Sequence, residues 1–148
     1  MLTTCDGLAF DWQGHRGCRG LFPENTILAM QEALKFSITT LEFDVVIDKN
    51  NEVIVSHEPW MAEEICLDPK GNTVKDKQHN IYKMTYDEIN KFDCGSKIHP
   101  RFKDQKKVKA HKPKLKDLIA EIEKLNKNIT YNIEIKSTVE EEAQGFQP

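Results

Sequence analysis

The sequence has no long apolar run and no strong excess of charge. No stretch of about 18 apolar residues occurs among its 148 residues, so we expect no membrane-spanning helix. Its formal net charge of -3 gives no general attraction for nucleic acid or for an anionic membrane surface. These absences favour one soluble unit of ordinary domain size.

Cysteine is also scarce, and its copies show no regular spacing. Cys5, Cys18, Cys66 and Cys94 form no C-x-x-C pair, so we expect no zinc site. A chain of this size can fold without disulfides. We therefore predict that all four cysteines are free thiols or small apolar fillers.

The N-terminus lacks both the basic and the apolar segment of a signal peptide. Leu2 to Cys5 faintly resembles the end of a lipoprotein signal, although the hydrophobic part is absent. The compartment stays open between the cytoplasm and the periplasm or cell envelope.

Strand and helix patterns alternate along the chain, which is typical of a parallel α/β sheet. The predicted strands are 8–13, 39–47, 53–56 and 129–137, and the predicted helices are 26–36 and 114–125. Asn25 or Thr26 can cap the first of these helices. Residues 58–112 form an irregular insertion, with a helical segment near 86–92. An insertion of this length is usually functional or disordered.

The acidic pair Glu42 and Asp44 is the most informative feature that is present. Strand side chains alternate, so both carboxylates point one way while the apolar residues beside them point the other. Taken alone, such a pair is typical of a sheet with one face in water. Glu134 repeats the pattern on the last predicted strand. Clustered carboxylates repel unless they share a proton or a cation, so the three indicate a divalent metal site.

Five short motifs follow one another along the chain. They are Gly14-His15-Arg16-Gly17, Pro23-Glu24-Asn25-Thr26, Leu41-Glu42-Phe43-Asp44, Val55-Ser56-His57-Glu58 and Ile133-Glu134-Ile135-Lys136. Their order resembles that of the glycerophosphodiester phosphodiesterases, from about Phe10 to Ser137. The resemblance implies a TIM (β/α)8 barrel of the phospholipase-C-like phosphodiesterase type, which typically has ~250 residues. Residues 7–148 would then be the N-terminal part of the domain, an incomplete barrel of about three βα units.

The resemblance also implies the reacting groups. Glu42, Asp44 and Glu134 would hold one divalent cation, and an all-oxygen donor set suits Mg²⁺ or Ca²⁺. His15 and His57 would form an acid/base pair, since phosphodiester cleavage removes one proton and delivers another. Which histidine is the base stays open.

Four further residues would support the site. The resemblance implies that Arg16 binds the substrate phosphate, and the alternative is an ion pair with Glu24. Lys136 would add a second positive charge or would pair with Glu134. Glu24 and Asn25 would act indirectly, by capping the helix and fixing the loop after the first strand.

A run of seven lysines lies between Lys103 and Lys116. Because no aromatic side chains interrupt it, the run gives little support for nucleic-acid binding, and we expect a solvated charged loop. Attraction for anionic phosphate substrates or lipid headgroups is the alternative. His79, His99 and His111 show no ligand spacing, and we assign them no role.

The implied function is metal-dependent hydrolysis of a small-molecule glycerophosphodiester to sn-glycerol 3-phosphate and an alcohol that the sequence does not specify. One alternative is an inactive truncated fragment that binds a divalent cation or phosphate headgroups, or that packs against a partner. Another is a phospholipase D-like or sphingomyelinase-like relative. A barrel that stops after three units exposes strand edges, so we expect weak activity and self-association.

Overall fold

The computed structural model describes residues 10–75 and 77–137. One sheet contains the four strands β1 (Gln13–His15), β2 (Thr40–Ile47), β3 (Val53–Val55) and β4 (Thr130–Ile135). β1 and β4 run parallel to β2, whereas β3 is antiparallel to it. β1 and β3 pair with successive parts of one edge of β2, and β4 pairs with the other edge, so β2 is the central strand.

Three α-helices and one 3₁₀ helix accompany this sheet in the described part of the chain. They are α1 (Ile27–Ala33), α2 (Tyr86–Ile89), α3 (Leu115–Glu123) and the 3₁₀ helix Ile81–Lys83. α1 begins after Thr26, whose side chain accepts a hydrogen bond from the Ala29 amide at 3.1 Å. In the described ranges, no helix has the length and apolar character needed to cross a bilayer.

The main core lies on one face of β2. Leu41, Phe43 and Val45 point to that face and pack with buried side chains of α1 and α3, including Met30 and Leu118. Burial of each such side chain contributes roughly 1.5–3 kcal/mol. Because this face is fully used for packing, Glu42 and Asp44 are directed to the opposite face, as the alternation predicts.

The insertion is irregular in secondary structure but has a core of its own. Val46 and Ile54 of the sheet pack with buried insertion side chains: Met61, Cys66, Val74, Ile81, Ile89, Phe92 and Cys94. A backbone bridge between Leu67 and Asp93 brings the two ends of this unit together.

The cysteine prediction was wrong for one pair. Cys66 and Cys94 form a disulfide across 28 residues of sequence. They are neighbours because of the Leu67–Asp93 bridge, a tertiary pairing that cysteine spacing does not encode. Cys18 is a free thiol, as predicted, and Cys5 lies outside the described residues.

Three element predictions also need correction. β3 is antiparallel, because the short link from β2 permits a hairpin but is too short for a parallel crossover. β1 spans Gln13–His15, so it starts where the predicted strand 8–13 was expected to end, and residues 8 and 9 lie outside the described part. α1 ends at Ala33, before the predicted end at Phe36. After Ala33 the backbone hydrogen bonds join residues three apart, as in Phe36 N to Ala33 O at 3.0 Å, which is the tighter 3₁₀ pattern.

Candidate active site

Three adjacent strands bring the predicted acidic residues together. In the strand register, His15 of β1 lies beside Glu42 of β2, and Asp44 lies beside Glu134 of β4. Glu42, Asp44 and Glu134 each offer a carboxylate oxygen, and these oxygens lie within 4.8 Å of one another. We call these three residues the acidic triad. Asp44 is 1% exposed, whereas the Glu134 side chain is exposed.

Two cationic side chains balance part of the charge of the triad. Arg16 Nε lies 3.2 Å from Asp44 Oδ2, and Lys136 Nζ lies 3.4 Å from Asp44 Oδ1. Lys136 Nζ also lies 2.5 Å from Glu134 Oε1. Burial would lower the pKa of Lys136, but its bonds to Glu134 and Asp44 outweigh burial and raise it. Lys136 thus makes the pairing with Glu134 that the sequence offered as one of two roles.

The residues present fit a hard divalent cation. Three converging carboxylates supply oxygen donors of the type that Mg²⁺ and Ca²⁺ prefer. Asn25 Nδ2 donates to Asp44 Oδ2 at 3.1 Å, while Asn25 Oδ1 is buried without a hydrogen-bond partner among the described residues. Such an acceptor would be satisfied by a cation or by its water ligands.

The loop after β1 adopts a strained backbone around the triad. Arg16 and Asn25 have φ values of 52° and 55°, in the left-handed region that costs non-glycine residues of order 1 kcal/mol or more. Arg16 N donates to Glu42 Oε2 at 3.0 Å, and Asn25 N donates to Arg16 O at 3.2 Å. Gly17 is also left-handed, and a Cβ there would lie 2.6 Å from the Ala29 backbone. The loop geometry is therefore held in place by the site and by α1.

Glu24 fixes the Arg16 guanidinium. Arg16 Nη1 lies 2.7 Å from Glu24 Oε1, the ion pair that the sequence offered as the alternative role of Arg16. Burial would raise the pKa of Glu24, but the Arg16 ion pair and hydrogen bond hold it below its usual range. Neither Glu24 nor Asn25 caps α1, because Thr26 does so; both instead hold the loop that carries Arg16.

The two predicted histidines each follow or end a strand that pairs with β2. His15 Nε2 lies 3.7 Å from Glu42 Oε2, and burial lowers the His15 pKa although Glu42 opposes that shift. His57 follows β3, and its Nδ1 lies 2.5 Å from Glu58 Oε1. The preceding residue, Ser56, donates its amide hydrogen to Asp44 O at 2.9 Å, which ties this loop to the middle of β2.

A cavity of about 470 Å³ lies between the strand ends and the insertion. Arg16, Asn25 and His57 line it from the strand side, and His99 and Arg101 line it from the insertion. The insertion is therefore ordered over its described residues and forms one wall of the site.

Lys112 and His99 are site residues that sequence reasoning missed. Lys112 belongs to the lysine run, yet it is 5% exposed and lines the cavity, so the prediction of a solvated loop was wrong at this position. Its Nζ donates to Ser56 Oγ at 2.7 Å, and burial lowers its pKa from 10.5 to about 8. The carbonyl of the adjacent Pro113 accepts from Val55 N at 2.9 Å and fixes this segment against β3, a tertiary contact that the sequence does not signal.

His99 is buried beside Glu24, with its Nε2 at 3.6 Å from Glu24 Oε2. Its Nδ1 accepts hydrogen bonds from the Arg101 and Phe102 amides, at 3.1 and 3.3 Å. Local sequence around His99 contains no pattern that predicts this burial.

The chain is similar to known proteins over most of its length. Residues 15–147 match the model of the glycerophosphoryl diester phosphodiesterase family. A glycerophosphodiester phosphodiesterase of Bacillus subtilis is 30% identical over 124 residues, which are 83% of this chain and 39% of the relative. One from Caldanaerobacter subterraneus is 31% identical over 126 residues, which are 84% of this chain and 44% of the relative.

Solved structures of the same family also superpose on this chain. A Silicibacter pomeroyi protein provisionally named a glycerophosphoryl diester phosphodiesterase superposes with a TM-score of 0.79 at 30% identity, covering 86% of this chain and 46% of that one. An Oleispira antarctica phosphodiesterase, solved with the product sn-glycerol 3-phosphate, gives 0.65 at 25% identity, covering 85% and 44%.

These neighbours are of the TIM-barrel type, which confirms the predicted fold at that level. The chain spans less than half the length of the curated relatives it matches. Together, the family match and the shared fold show that this chain belongs to the glycerophosphoryl diester phosphodiesterase family.

Proposed function

We propose that this chain carries the reaction centre for hydrolysis of a glycerophosphodiester to sn-glycerol 3-phosphate and an alcohol. The observation that supports this most directly is the acidic triad on β2 and β4, with His15 in register beside it. The product bound to the Oleispira antarctica relative is the one that this reaction would release.

The cation would be held by Glu42, Asp44 and Glu134. When bound, a divalent cation supplies Lewis-acid polarisation of a phosphoryl oxygen and lowers the pKa of a bound hydroxyl or water. Mg²⁺ and Ca²⁺ both suit the donor set.

The protein's own groups would position the substrate and move protons. Arg16 presents a planar guanidinium suited to two phosphate oxygens, and Glu24 holds that guanidinium in one orientation. Lys136 supplies a second positive charge. His15 and His57 would take the proton of the nucleophile and protonate the leaving oxygen.

A direct assay tests the proposal. Purified protein is incubated with glycerophosphocholine and either Mg²⁺ or Ca²⁺, and sn-glycerol 3-phosphate is quantified. We expect product only with a divalent cation, and none from the Asp44→Ala variant. Calorimetry should show that this variant no longer binds the metal. Equal metal affinity in both proteins would refute the triad as the site. Hydrolysis of sphingomyelin or of a lysophospholipid in place of glycerophosphocholine would favour the sphingomyelinase-like or phospholipase D-like alternative.

The second candidate function is binding of the cation with only slow hydrolysis of the substrate by this chain alone. β4 pairs with β2 on one edge only, and no described strand pairs with its other edge. Ile135 on that strand is 66% exposed. An open edge with apolar side chains recruits other chains, so an incomplete barrel would self-associate.

Light scattering and the same assay separate these candidates. We expect the 148-residue chain to associate and to have low activity, and we expect both properties to change when the C-terminal half of a relative is supplied. A monodisperse monomer as active as the completed barrel would refute the incomplete-barrel proposal.

The Cys66–Cys94 disulfide favours one of the two compartments that the sequence leaves open. Disulfides form and persist in oxidising environments, so we infer that the protein functions in the periplasm or cell envelope. Thiol titration of protein isolated from its own cells would test this, since two additional free thiols would contradict it.

A further inference from the structure

Three cationic side chains that line the cavity have no role in the proposed reaction. Arg19, Arg101 and Lys112 form no ion pair with a carboxylate among residues 10–75 and 77–137. In contrast, Arg16 in the same cavity is paired with Glu24 and Asp44. The three unpaired cations therefore differ from the cation assigned to the reacting phosphate.

Arg19 and Arg101 are held near each other by an aromatic ring. Their guanidinium carbons lie 5.0 and 5.3 Å from the centre of the Phe102 ring, within the range of cation–π contacts. Burial lowers the Arg19 pKa, and although Glu24 opposes that shift, Arg16 and Arg101 add to it. Like charges are thus gathered at one side of the cavity.

Glu24 and Glu58 attract Lys112 through space, but among the described residues neither carboxylate forms a direct ion pair with the three cations. Glu24 is engaged by Arg16 and His99, and Glu58 is engaged by His57. Glu64 lines the cavity too, but it is exposed to solvent.

Lys112 adds a buried charge to the group. Its ammonium is bonded to the Ser56 hydroxyl, a neutral partner that cannot compensate a positive charge. A buried, unpaired lysine is costly to folding, so its presence at a cavity wall points to a ligand that offsets the cost.

We propose that this wall of the cavity is a second anion subsite, in which Lys112, Arg19 and Arg101 bind a further phosphate monoester carried by the diester substrate. This rests on the proposed function, because it names the substrate class for the same site. Three cations favour a dianion over a monoanionic carboxylate. Two of them are guanidinium forks that match phosphate oxygens.

Inorganic phosphate, titrated calorimetrically into the 148-residue chain in EDTA, tests the subsite. Without a divalent cation the acidic triad repels phosphate, so binding under these conditions reports the cavity cations, and the Arg101 and Lys112 variants separate the second subsite from Arg16. We expect phosphate to bind and acetate to bind at least about 10-fold more weakly. Arg101→Gln should weaken phosphate binding by about 10-fold or more, as expected for a lost charged hydrogen bond.

Lys103→Gln is the matched control, because it removes an equal charge from an exposed neighbour that does not line the cavity. It should leave phosphate affinity unchanged. Lys112→Met should weaken phosphate binding as Arg101→Gln does, with circular dichroism to verify folding. Arg101 is exposed, so its variant remains decisive even where Lys112→Met fails to fold.

The outcomes are distinct from those of the hydrolysis assay. Equal phosphate affinity in Arg101→Gln and Lys103→Gln, or no phosphate binding to the unmodified chain, would overturn the subsite and leave metal binding and hydrolysis untouched. Acetate binding as tightly as phosphate would overturn the assignment to a phosphate monoester. Failure to hydrolyse any glycerophosphodiester would instead refute the proposed function, because the titration does not depend on turnover.

Discussion

The sheet that carries the acidic triad and the insertion that lines the cavity are built in different ways. On the strand side, the acidic triad and His15 are fixed by backbone register between adjacent strands. On the insertion side, His99 and Arg101 are fixed by hydrogen bonds within their loop, and Lys112 is fixed by its hydrogen bond to Ser56. Under the proposed roles, the strand side supplies the reacting groups and the insertion side supplies groups that bind the substrate.

If this division is correct, changes on the strand side should alter chemistry and leave folding stability nearly intact. Changes on the insertion side should alter stability or ligand choice. Each of the following predictions tests that separation.

The largest effect is expected from the histidines. His15→Ala and His57→Ala should each lower glycerophosphocholine turnover by roughly 10² to 10⁴-fold, the usual contribution of a positioned acid or base. In this assay, the chain is mixed with the C-terminal half of the glycerophosphodiester phosphodiesterase of Bacillus subtilis. Metal affinity should be unchanged, because neither histidine is a proposed ligand.

His111→Ala is the control, since His111 is exposed and does not line the cavity. Near-normal turnover in His15→Ala or His57→Ala would remove that histidine from the mechanism.

The next effect concerns the insertion. Replacing both Cys66 and Cys94 by alanine should lower the free energy of unfolding by roughly 3–4 kcal/mol, because the bond closes a loop of 28 residues. Urea unfolding of the oxidised protein and the variant measures this. Divalent-cation affinity should not change, and a loss of it would contradict the independence of the two sides.

Lys112→Met should stabilise the protein. Burial lowers the Lys112 pKa from 10.5 to about 8, so the folded chain holds this proton less tightly than the unfolded chain. The wild-type free energy of unfolding therefore rises between pH 8 and pH 10.5, by up to about 3 kcal/mol from this residue. The methionine side chain does not titrate, so the variant's advantage should be full below pH 8 and should vanish toward pH 10.5.

Urea unfolding of both proteins at about pH 7 and at about pH 10 would measure how the stability advantage of the variant changes, because most of the Lys112 titration lies between these pH values. Lys107→Met is the exposed control. A variant advantage of equal size at both pH values would mean that the ammonium is not the cause.

The smallest change is expected at the exposed edge of the triad. Glu134→Gln should weaken Mg²⁺ or Ca²⁺ binding by about 10-fold, since one of three carboxylate charges is lost. Stability should hardly change, because this side chain is 58% exposed. Calorimetry with Glu63→Gln, an exposed carboxylate outside the triad, provides the comparison. Equal affinities would exclude Glu134 as a ligand.

The same division explains what could be predicted from the sequence. Period-two alternation put Glu42 and Asp44 on one face and their apolar neighbours on the other, and the structure has this arrangement. The amphipathic pattern of α3 was equally readable. Local patterns predict side-chain direction here because the backbone geometry of a strand or a helix fixes the face on which each side chain lies.

The remainder depends on contacts between residues distant in the chain. The burial of Lys112 follows from the pairing of Pro113 with β3, and the disulfide follows from the Leu67–Asp93 bridge. The left-handed backbone of Arg16 and Asn25 is imposed by their hydrogen bonds to the site. None of these contacts has a periodic signature, so a single sequence could not reveal them.

The Cys66–Cys94 disulfide closes a covalent ring around the part of the insertion that packs on the sheet. The cavity-lining residues Ala62, Glu64 and Ile65 lead directly into Cys66, and Cys94 leads on toward His99 and Arg101. The bond therefore joins the two segments at the base of the wall, and residues 67–93 form a closed loop beyond it. A single proteolytic cut inside that loop would leave both wall segments covalently joined. Because Ile81 and Ile89 of this ring pack against the sheet, the bond would also keep a cut ring attached to its own core.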